Sequence, residues 1–137
     1  MTWESTMARA VSTFLMFDGV AENAMRFYVS LFKDSEIKSV QRFGPGEGGA
    51  EGTIKTARFT LAGHHLICFD SPIKHNFTFT PAMSIFVDCE SESELDEAFK
   101  QLSTGGSVLM PLDNYGFSTK FGWVNDRFGV SWQLNLP

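Results

Sequence analysis

The chain is organised around residues 18–32, which read DGVAENAMRFYVSLF. The apolar residues of this stretch recur with the spacing of one face of an α-helix with 3.6 residues per turn: Val20, Ala24, Phe27, Tyr28 and Leu31. Asp18 or Gly19 can begin this helix, and Glu22 lies in its first turn, where exposed N–H groups favour a negative charge. We therefore predict a short amphipathic helix that packs on other parts of the chain.

Four stretches around this helix have the apolar or alternating character of β-strands. They are residues 11–17, 36–43, 54–61 and 64–70. Within the third stretch, Ala57, Phe59 and Leu61 alternate with polar residues, which is typical of a strand with one polar face. The first half of the chain therefore predicts the element order β, α, β, β, β.

The second half of the chain repeats this order. Ser91 and Glu94 have the S-x-x-E spacing of a helix capping box, and the apolar positions that follow have helical spacing: Leu95, Ala98, Phe99 and Leu102. Strands are predicted at residues 83–88, 107–110, 115–124 and 129–134. We interpret this as an internal repeat of two βαβββ modules.

The repeat predicts an α+β fold in a single domain spanning residues 1–137. Its two modules are residues 11–70 and 83–134, and residues 71–82 link them. Two such modules can curl their strands into an open barrel whose helices cover the outside, and a ligand then binds on the concave inner face. Whether the modules pair within one chain or between two chains stays open.

The composition limits the classes of partner. The chain has 137 residues, a formal charge of −5 and a pI near 5.1, and its basic residues are scattered, which disfavours nucleic-acid binding. No apolar run approaches the roughly 18 residues of a membrane-spanning helix, and the N-terminus does not resemble a signal peptide. Cys68 and Cys89 suit buried thiols better than a disulfide framework. We expect a cytoplasmic protein that binds neither nucleic acid nor membranes.

Three stretches carry a recognisable combination of residues: 14–28, FLMFDGVAENAMRFY; 31–35, LFKDS; and 125–134, NDRFGVSWQL. Together they resemble the PhnB-like family of the vicinal oxygen chelate superfamily, whose other members include glyoxalase I and bleomycin-resistance proteins. The resemblance covers nearly the whole chain. It implies paired βαβββ modules forming a glyoxalase-like open barrel, usually in a homodimer, but it does not imply one particular reaction.

The resemblance also implies where a metal ion would bind. Enzymes of the superfamily usually hold a divalent metal through the first and last strands of each module, which here correspond approximately to Thr13, Ile67, the range 82–84 and Gln133. Only Gln133 offers an oxygen ligand of the usual kind, whereas a catalytic Zn²⁺ needs about three protein ligands. We therefore predict no metal and no other cofactor. The alternative is a divalent metal held by Gln133 and His65 with further ligands elsewhere.

Two adjacent histidines offer further chemistry. Neighbouring strand residues point to opposite faces, so His64 and His65 cannot both line one site without a bulge. Alternation from Ile67 places His65 on the concave face and Cys68 on the other, which argues against a nucleophilic pair of His65 and Cys68. His65 is either a functional group or a polar strand end.

Aromatic residues near the C-terminus suggest binding. Tyr115, Phe117, Phe121 and Trp123 are predicted to share one side of a strand, where part of the row lines a pocket or a dimer contact. Trp132 lies on the side opposite Gln133 and is predicted to pack beneath a helix. Asp126 is predicted to cap the turn before Gly129.

The glycine-rich stretch 44–49, GPGEGG, satisfies the pattern G-x-G-x-x-G of nucleotide sites. That motif works when the loop opens a helix whose N-terminus receives a phosphate, and here a strand is predicted to follow. We therefore expect a mobile hairpin tip. The PhnB-like family often carries the label of demethylubiquinone methyltransferase, but a methyltransferase domain needs a larger doubly wound sheet, so this label fits the chain poorly.

These observations favour a homodimeric protein that binds a small organic molecule. The predicted ligand-binding residues are Thr13, His65, Ile67, Tyr115, Phe117 and Gln133. One alternative is a metal-dependent isomerase, lyase or dioxygenase of the glyoxalase type, and another is a structural or interaction module.

Overall fold

The structure, a computed structural model, describes residues 8–137. Its first five elements are β1 (Thr13–Phe17), α1 (Ala21–Leu31), β2 (Glu36–Arg42), β3 (Ile54–Leu61) and β4 (His64–Asp70). The next five are β5 (Ile85–Asp88), α2 (Glu92–Ser103), β6 (Ser107–Asp113), β7 (Lys120–Asn125) and β8 (Ser131–Leu136). The predicted α+β class and the twofold βαβββ order are confirmed.

The described chain forms two compact units that divide between Lys74 and His75. Each unit contains one helix and one four-stranded sheet, with the strand orders β1-β4-β3-β2 and β5-β8-β7-β6. The first and last strands of each unit pair in parallel, whereas the other pairs are antiparallel. The two sheets therefore have equivalent topologies, and a position in one has a counterpart in the other.

Helix α1 packs on the first sheet through a face that the sequence predicted only in part. Its buried residues are Ala21, Ala24, Met25 and Tyr28, whereas Val20, predicted on that face, is the N-cap and is 37% exposed. The side chain of Val20 cannot accept a hydrogen bond. Instead, Asp70 at the end of β4 accepts one from the backbone N–H of Ala21 at 3.0 Å. The expectation that Asp18 or Gly19 begins the helix was therefore wrong by one or two residues.

Helix α2 follows its predicted pattern closely. Ser91 is the N-cap, and its hydroxyl oxygen accepts a hydrogen bond from the backbone N–H of Glu94 at 3.2 Å. The Glu94 carboxylate in turn accepts one from the N–H of Glu90 at 3.1 Å. The four predicted core positions are all buried: Leu95, Ala98, Phe99 and Leu102. The predicted helix cap and buried face are confirmed.

The strand predicted at residues 115–124 begins only at Lys120. Its first residues form a turn instead, in which the side-chain oxygen of Asn114 accepts a hydrogen bond from the N–H of Gly116 at 2.8 Å. Gly116 has φ +98°, a conformation that favours glycine. Tyr115 and Phe117 therefore lie in the loop between β6 and β7, not on a strand.

Candidate functional site

Each sheet has one face that packs on its own helix and one that does not, which we call the helix-free face. On the second sheet, Val124, Trp132 and Leu134 are fully buried on the helix side. Gln133 lies between the last two and so belongs to the helix-free face. The predicted separation of Trp132 from Gln133 is confirmed.

Gln133 occupies the centre of this face between two aromatic residues. Its register partner on β7 is Trp123, and its partner on β5 is Phe86. Directly paired side chains on one sheet face are close enough to contact. The Gln133 amide, which can donate two hydrogen bonds and accept others, makes none with any side chain that the structure describes. Gln133 therefore has unused hydrogen-bonding capacity and lies in register between two aromatic residues.

Hydrogen bonds fix Trp123 beside Gln133. Its indole N–H donates to the hydroxyl oxygen of Ser131 at 2.8 Å. The Ser131 hydroxyl is also hydrogen-bonded to that of Ser84 at 2.7 Å, and Ser131 is 1% exposed. Ser84, one of the three residues aligned with a metal-ligand position, therefore orients an aromatic ring through Ser131.

Two asparagines on the same face carry buried oxygens without a partner. The Asn135 side chain donates from Nδ2 to the Asp88 carboxylate at 2.9 Å, yet its Oδ1 atom has no hydrogen-bond partner within the described part of the chain. The same holds for Oδ1 of Asn125. Buried oxygens of this kind are normally satisfied. They are acceptors that no described donor satisfies.

Three aromatic rings surround that of Phe121, which is the register partner of Asn135. The Phe121 ring centroid lies 5.0 Å from that of Phe117, 6.1 Å from that of Tyr115 and 6.4 Å from that of Phe86. Phe117 and Phe86 remain 64% and 53% exposed. The Tyr115 hydroxyl donates to the carbonyl oxygen of Pro111 at 2.6 Å, which holds the loop in place. Three residues of the predicted row, Tyr115, Phe117 and Phe121, thus contact one another. The prediction that all four share one strand was wrong, because only Phe121 and Trp123 lie on β7.

Sequence reasoning did not select Phe86, which lies beside Gln133. The signal was present, because Ser84 and Phe86 alternate within the predicted strand 83–88. What the sequence lacked was the register, since β5 pairs with a strand more than 40 residues later. Asn135 was missed as well, because it lies just beyond the predicted end of its strand.

The first sheet separates three of the predicted site residues. Ile67 and His65 lie on its helix-free face, as alternation predicts. Thr13 pairs with Leu66 on the helix side, and its hydroxyl is hydrogen-bonded to Nε2 of His64 at 2.9 Å. Thr13 and Ile67 therefore do not lie side by side. The two histidines lie on opposite faces, as expected.

The residues aligned with the superfamily's metal ligands do not fit a metal site. Ile67 has no donor atom, and its register partner on β1 is Phe14. Thr13 faces the other way, whereas Gln133 lies between two aromatic side chains. Among residues 8–137, no group of three or more His, Cys, Asp and Glu side chains is placed to hold a metal ion.

Both thiols are buried and unpaired by any disulfide. Burial raises the pKa of Cys68 to about 12, and the nearby Asp70 carboxylate adds to this effect. Burial likewise raises the pKa of Cys89 to about 12, with a further contribution from Glu94. Because the thiolate is the nucleophile, neither cysteine is a reactive group in the folded protein.

The glycine-rich loop joins two antiparallel strands, β2 and β3. The Glu47 carboxylate accepts a hydrogen bond from the N–H of Gly44 and pairs with Lys55 at 3.0 Å. Gly49 lies against Phe43, whose ring would be 2.5 Å from an added Cβ atom. The loop therefore closes over an aromatic ring and does not open a helix, so it lacks the geometry of a dinucleotide site.

No helix within residues 8–137 is both long enough and apolar enough to cross a membrane.

Comparisons with known proteins place these features in a family. Residues 9–135 match the family described as 3-demethylubiquinone-9 3-methyltransferase. The PhnB protein of Bacillus cereus, which carries the same description, is 55% identical with a TM-score of 0.92, over 94% of this chain and 100% of that one. A Pseudomonas aeruginosa protein is 27% identical with a TM-score of 0.81, over 94% of this chain and 98% of that one.

The fold extends to more distant proteins. The fosfomycin resistance protein FosX of Listeria monocytogenes has a TM-score of 0.61 at 13% identity, over 96% of this chain and 94% of that one. The FosX structure contains Mn(II) and a dihydroxypropylphosphonic acid. A search of curated proteins found no match. The family match over residues 9–135 and the 55% identity to a PhnB protein show that this chain belongs to the PhnB-like family of the vicinal oxygen chelate fold.

Proposed function

We propose that this protein binds a small, planar organic molecule on the helix-free face of its second sheet, without the help of a metal ion. The observation that carries the proposal is the position of Gln133 between Trp123 and Phe86. The amide can hydrogen-bond one polar group of the ligand, and the aromatic side chains can stack on its ring. Such a combination of apolar walls and a few polar groups is typical of small-molecule sites.

The surroundings of Gln133 support this choice of ligand. The rings of Phe86 and Phe117 are largely exposed, so apolar area is available to a ligand. The amide of Gln133, which bonds no described side chain, supplies polar groups beside this surface. A ligand with an aromatic ring and an N–H or O–H group would cover the exposed rings and hydrogen-bond the Gln133 amide.

The family description names a methyltransferase, but the described residues support binding more directly than methyl transfer. The glycine-rich loop connects β2 to β3. This loop belongs to the first sheet, whereas the binding proposal rests on the second sheet alone. The proposal does not require methyl transfer.

The proposal can be tested with 2-naphthamide, a neutral molecule with an aromatic ring and an amide. We expect its titration to shift the backbone amide NMR signals of Phe86, Trp123 and Gln133. Replacing Gln133→Leu removes hydrogen bonds of about 1 kcal/mol each and should weaken binding about tenfold. Gln101→Leu is the matched control, because Gln101 bonds Glu97 on α2 and should leave the affinity unchanged.

Equal affinities of wild type and Gln133→Leu would refute the proposed site. The proposal that binding needs no metal ion has its own test. About one tightly held transition metal per chain by elemental analysis, together with loss of 2-naphthamide binding in EDTA, would show that a metal takes part.

We further propose a homodimer. Several large apolar side chains of the described chain are well exposed, including Ile73 at 67% and Met83 at 78%. Exposed apolar surface of this kind often marks an interface with another protein chain. Sedimentation velocity should give a mass near twice 15.3 kDa. A monomer at all micromolar concentrations would contradict this prediction.

A cytoplasmic location is part of the same proposal. Cys68 and Cys89 are both free, which suits a reducing compartment. Cell fractionation with detection of the native protein tests this location, and recovery from the secreted fraction would contradict it.

A further inference from the structure

Arg58 is an exposed cation at the centre of the first sheet's helix-free face. It belongs to β3, which lies between β4 and β2. Its guanidinium makes no hydrogen bond or ion pair with any residue that the structure describes. Arg42, on the edge strand of the same sheet, is different, because it pairs with Glu22 at 2.6 Å.

The residues in register with Arg58 form one row across the sheet: Ser39, Arg58, Ile67 and Phe14. Ser39 adds a hydroxyl group on one side of Arg58. Ile67 and Phe14 add apolar surface on the other side, where the Phe14 ring centroid lies 5.8 Å from that of Phe69. The row is thus polar and positively charged at Ser39 and Arg58 and apolar at Ile67 and Phe14.

The size of this row fits a small molecule. Adjacent strands lie about 4.8 Å apart, so Arg58 and Phe14 are separated by two strand spacings, or about 10 Å. That distance matches one or two fused aromatic rings bearing a single charged group. A guanidinium can form two parallel hydrogen bonds with a carboxylate or a phosphate group.

We infer that the first sheet carries an anion-binding site, in which Arg58 binds the carboxylate or phosphate group of a ligand whose apolar part packs on Ile67 and Phe14. Local charge complementarity supports an anionic ligand, since no described carboxylate pairs with this arginine. Ser39 is a second donor for the same anionic group. The inference concerns the first unit alone and does not rest on the aromatic site of the second.

The test compares 2-naphthoate with 2-naphthamide, which has the same ring without the charge. We expect 2-naphthoate to shift the backbone amide NMR signals of Phe14, Arg58 and Ile67. Arg58→Gln should weaken its binding at least about tenfold, because a charge-assisted hydrogen bond is lost, and Arg58→Lys should weaken it less. Arg26→Gln removes the same charge from helix α1 and should leave the affinity unchanged.

Inorganic phosphate tests the apolar part of the site. We expect it to bind at least tenfold more weakly than 2-naphthoate, and equal binding would overturn the role of Ile67 and Phe14. Unchanged 2-naphthoate affinity in Arg58→Gln would overturn the anion site. Shifts by 2-naphthoate confined to Gln133, Trp123 and Phe86 would also overturn it while leaving the proposed function in place. Thermal melts of all three arginine variants check that they remain folded.

Discussion

Ile67 and Gln133 occupy equivalent positions in the two sheets. Each lies on the last strand of its unit, on the helix-free face, beside a phenylalanine of the parallel first strand. Those phenylalanines are Phe14 and Phe86. The two units thus present the same geometry with different chemistry, because an aliphatic side chain in one corresponds to an amide in the other.

Asp126 should be essential for the stability of the second unit. Its Oδ1 atom accepts hydrogen bonds from the N–H groups of Phe128 at 2.8 Å and Val130 at 3.0 Å, and its Oδ2 accepts one from the indole N–H of Trp132 at 2.9 Å. Asp126→Ala leaves these buried donors unsatisfied and should lower the free energy of unfolding by about 3 kcal/mol or more. Urea denaturation measures this loss.

Glu97→Ala is the control for Asp126, since Glu97 is exposed on α2 and its removal should change stability by at most about 0.5 kcal/mol. Similar losses for both variants would mean that the buried hydrogen bonds contribute little.

Glu22 should make stability depend on acid pH. Hydrogen bonds from Arg42 and then Arg26 lower the pKa of Glu22 below its usual 4.5. A lowered pKa in the folded state stabilises the protein above about pH 4.5, and this contribution is lost as the pH falls further. At pH 7, Glu22→Gln should reduce the free energy of unfolding by about 0.5–1 kcal/mol. The difference from wild type should shrink toward pH 3, as measured by urea titrations at each pH. A difference that is constant with pH would contradict this assignment.

The thiols should be unreactive in the folded protein. Because burial raises the pKa of both Cys68 and Cys89 to about 12, labelling with Ellman's reagent at pH 8 should be at least about 100-fold slower than for a free thiol. Unfolding in guanidinium should make both react at once. Val11→Cys supplies an exposed comparison, since Val11 is 84% exposed, and this thiol should react rapidly in the native state. Fast native labelling of the wild type would contradict the burial of its thiols.

Gly122 should not tolerate a side chain. An added Cβ atom would lie 2.5 Å from Cε2 of Phe99 and 2.8 Å from Cδ2 of Leu112. Gly122→Ala should therefore lower the free energy of unfolding by about 1–3 kcal/mol through overpacking. Adding Phe99→Leu should restore part of this loss, and additive effects of the two substitutions in urea denaturation would argue against the predicted clash.

The sequence by itself determined much of the architecture. Hydrophobic spacing at Leu95, Ala98 and Phe99 and the cap at Ser91 are local signals, so α2 could be predicted before its neighbours were known. Alternation along β3 and β8 likewise assigned Arg58 and Gln133 to the faces on which they are found, because the side-chain period of a strand depends on the strand alone.

Tertiary structure alone decided the partners of these residues. The N-terminus of α1 depends on Asp70, which is 49 residues from Ala21, and Phe86 reaches Gln133 only through the parallel pairing of β5 with β8. Tyr115 belongs to the aromatic cluster although it lies in a loop, because its ring contacts that of Phe121. Strand alternation does not account for this position. Such long-range pairings follow from the register between strands. The hydrophobic period within one strand does not say which residues of another strand it faces.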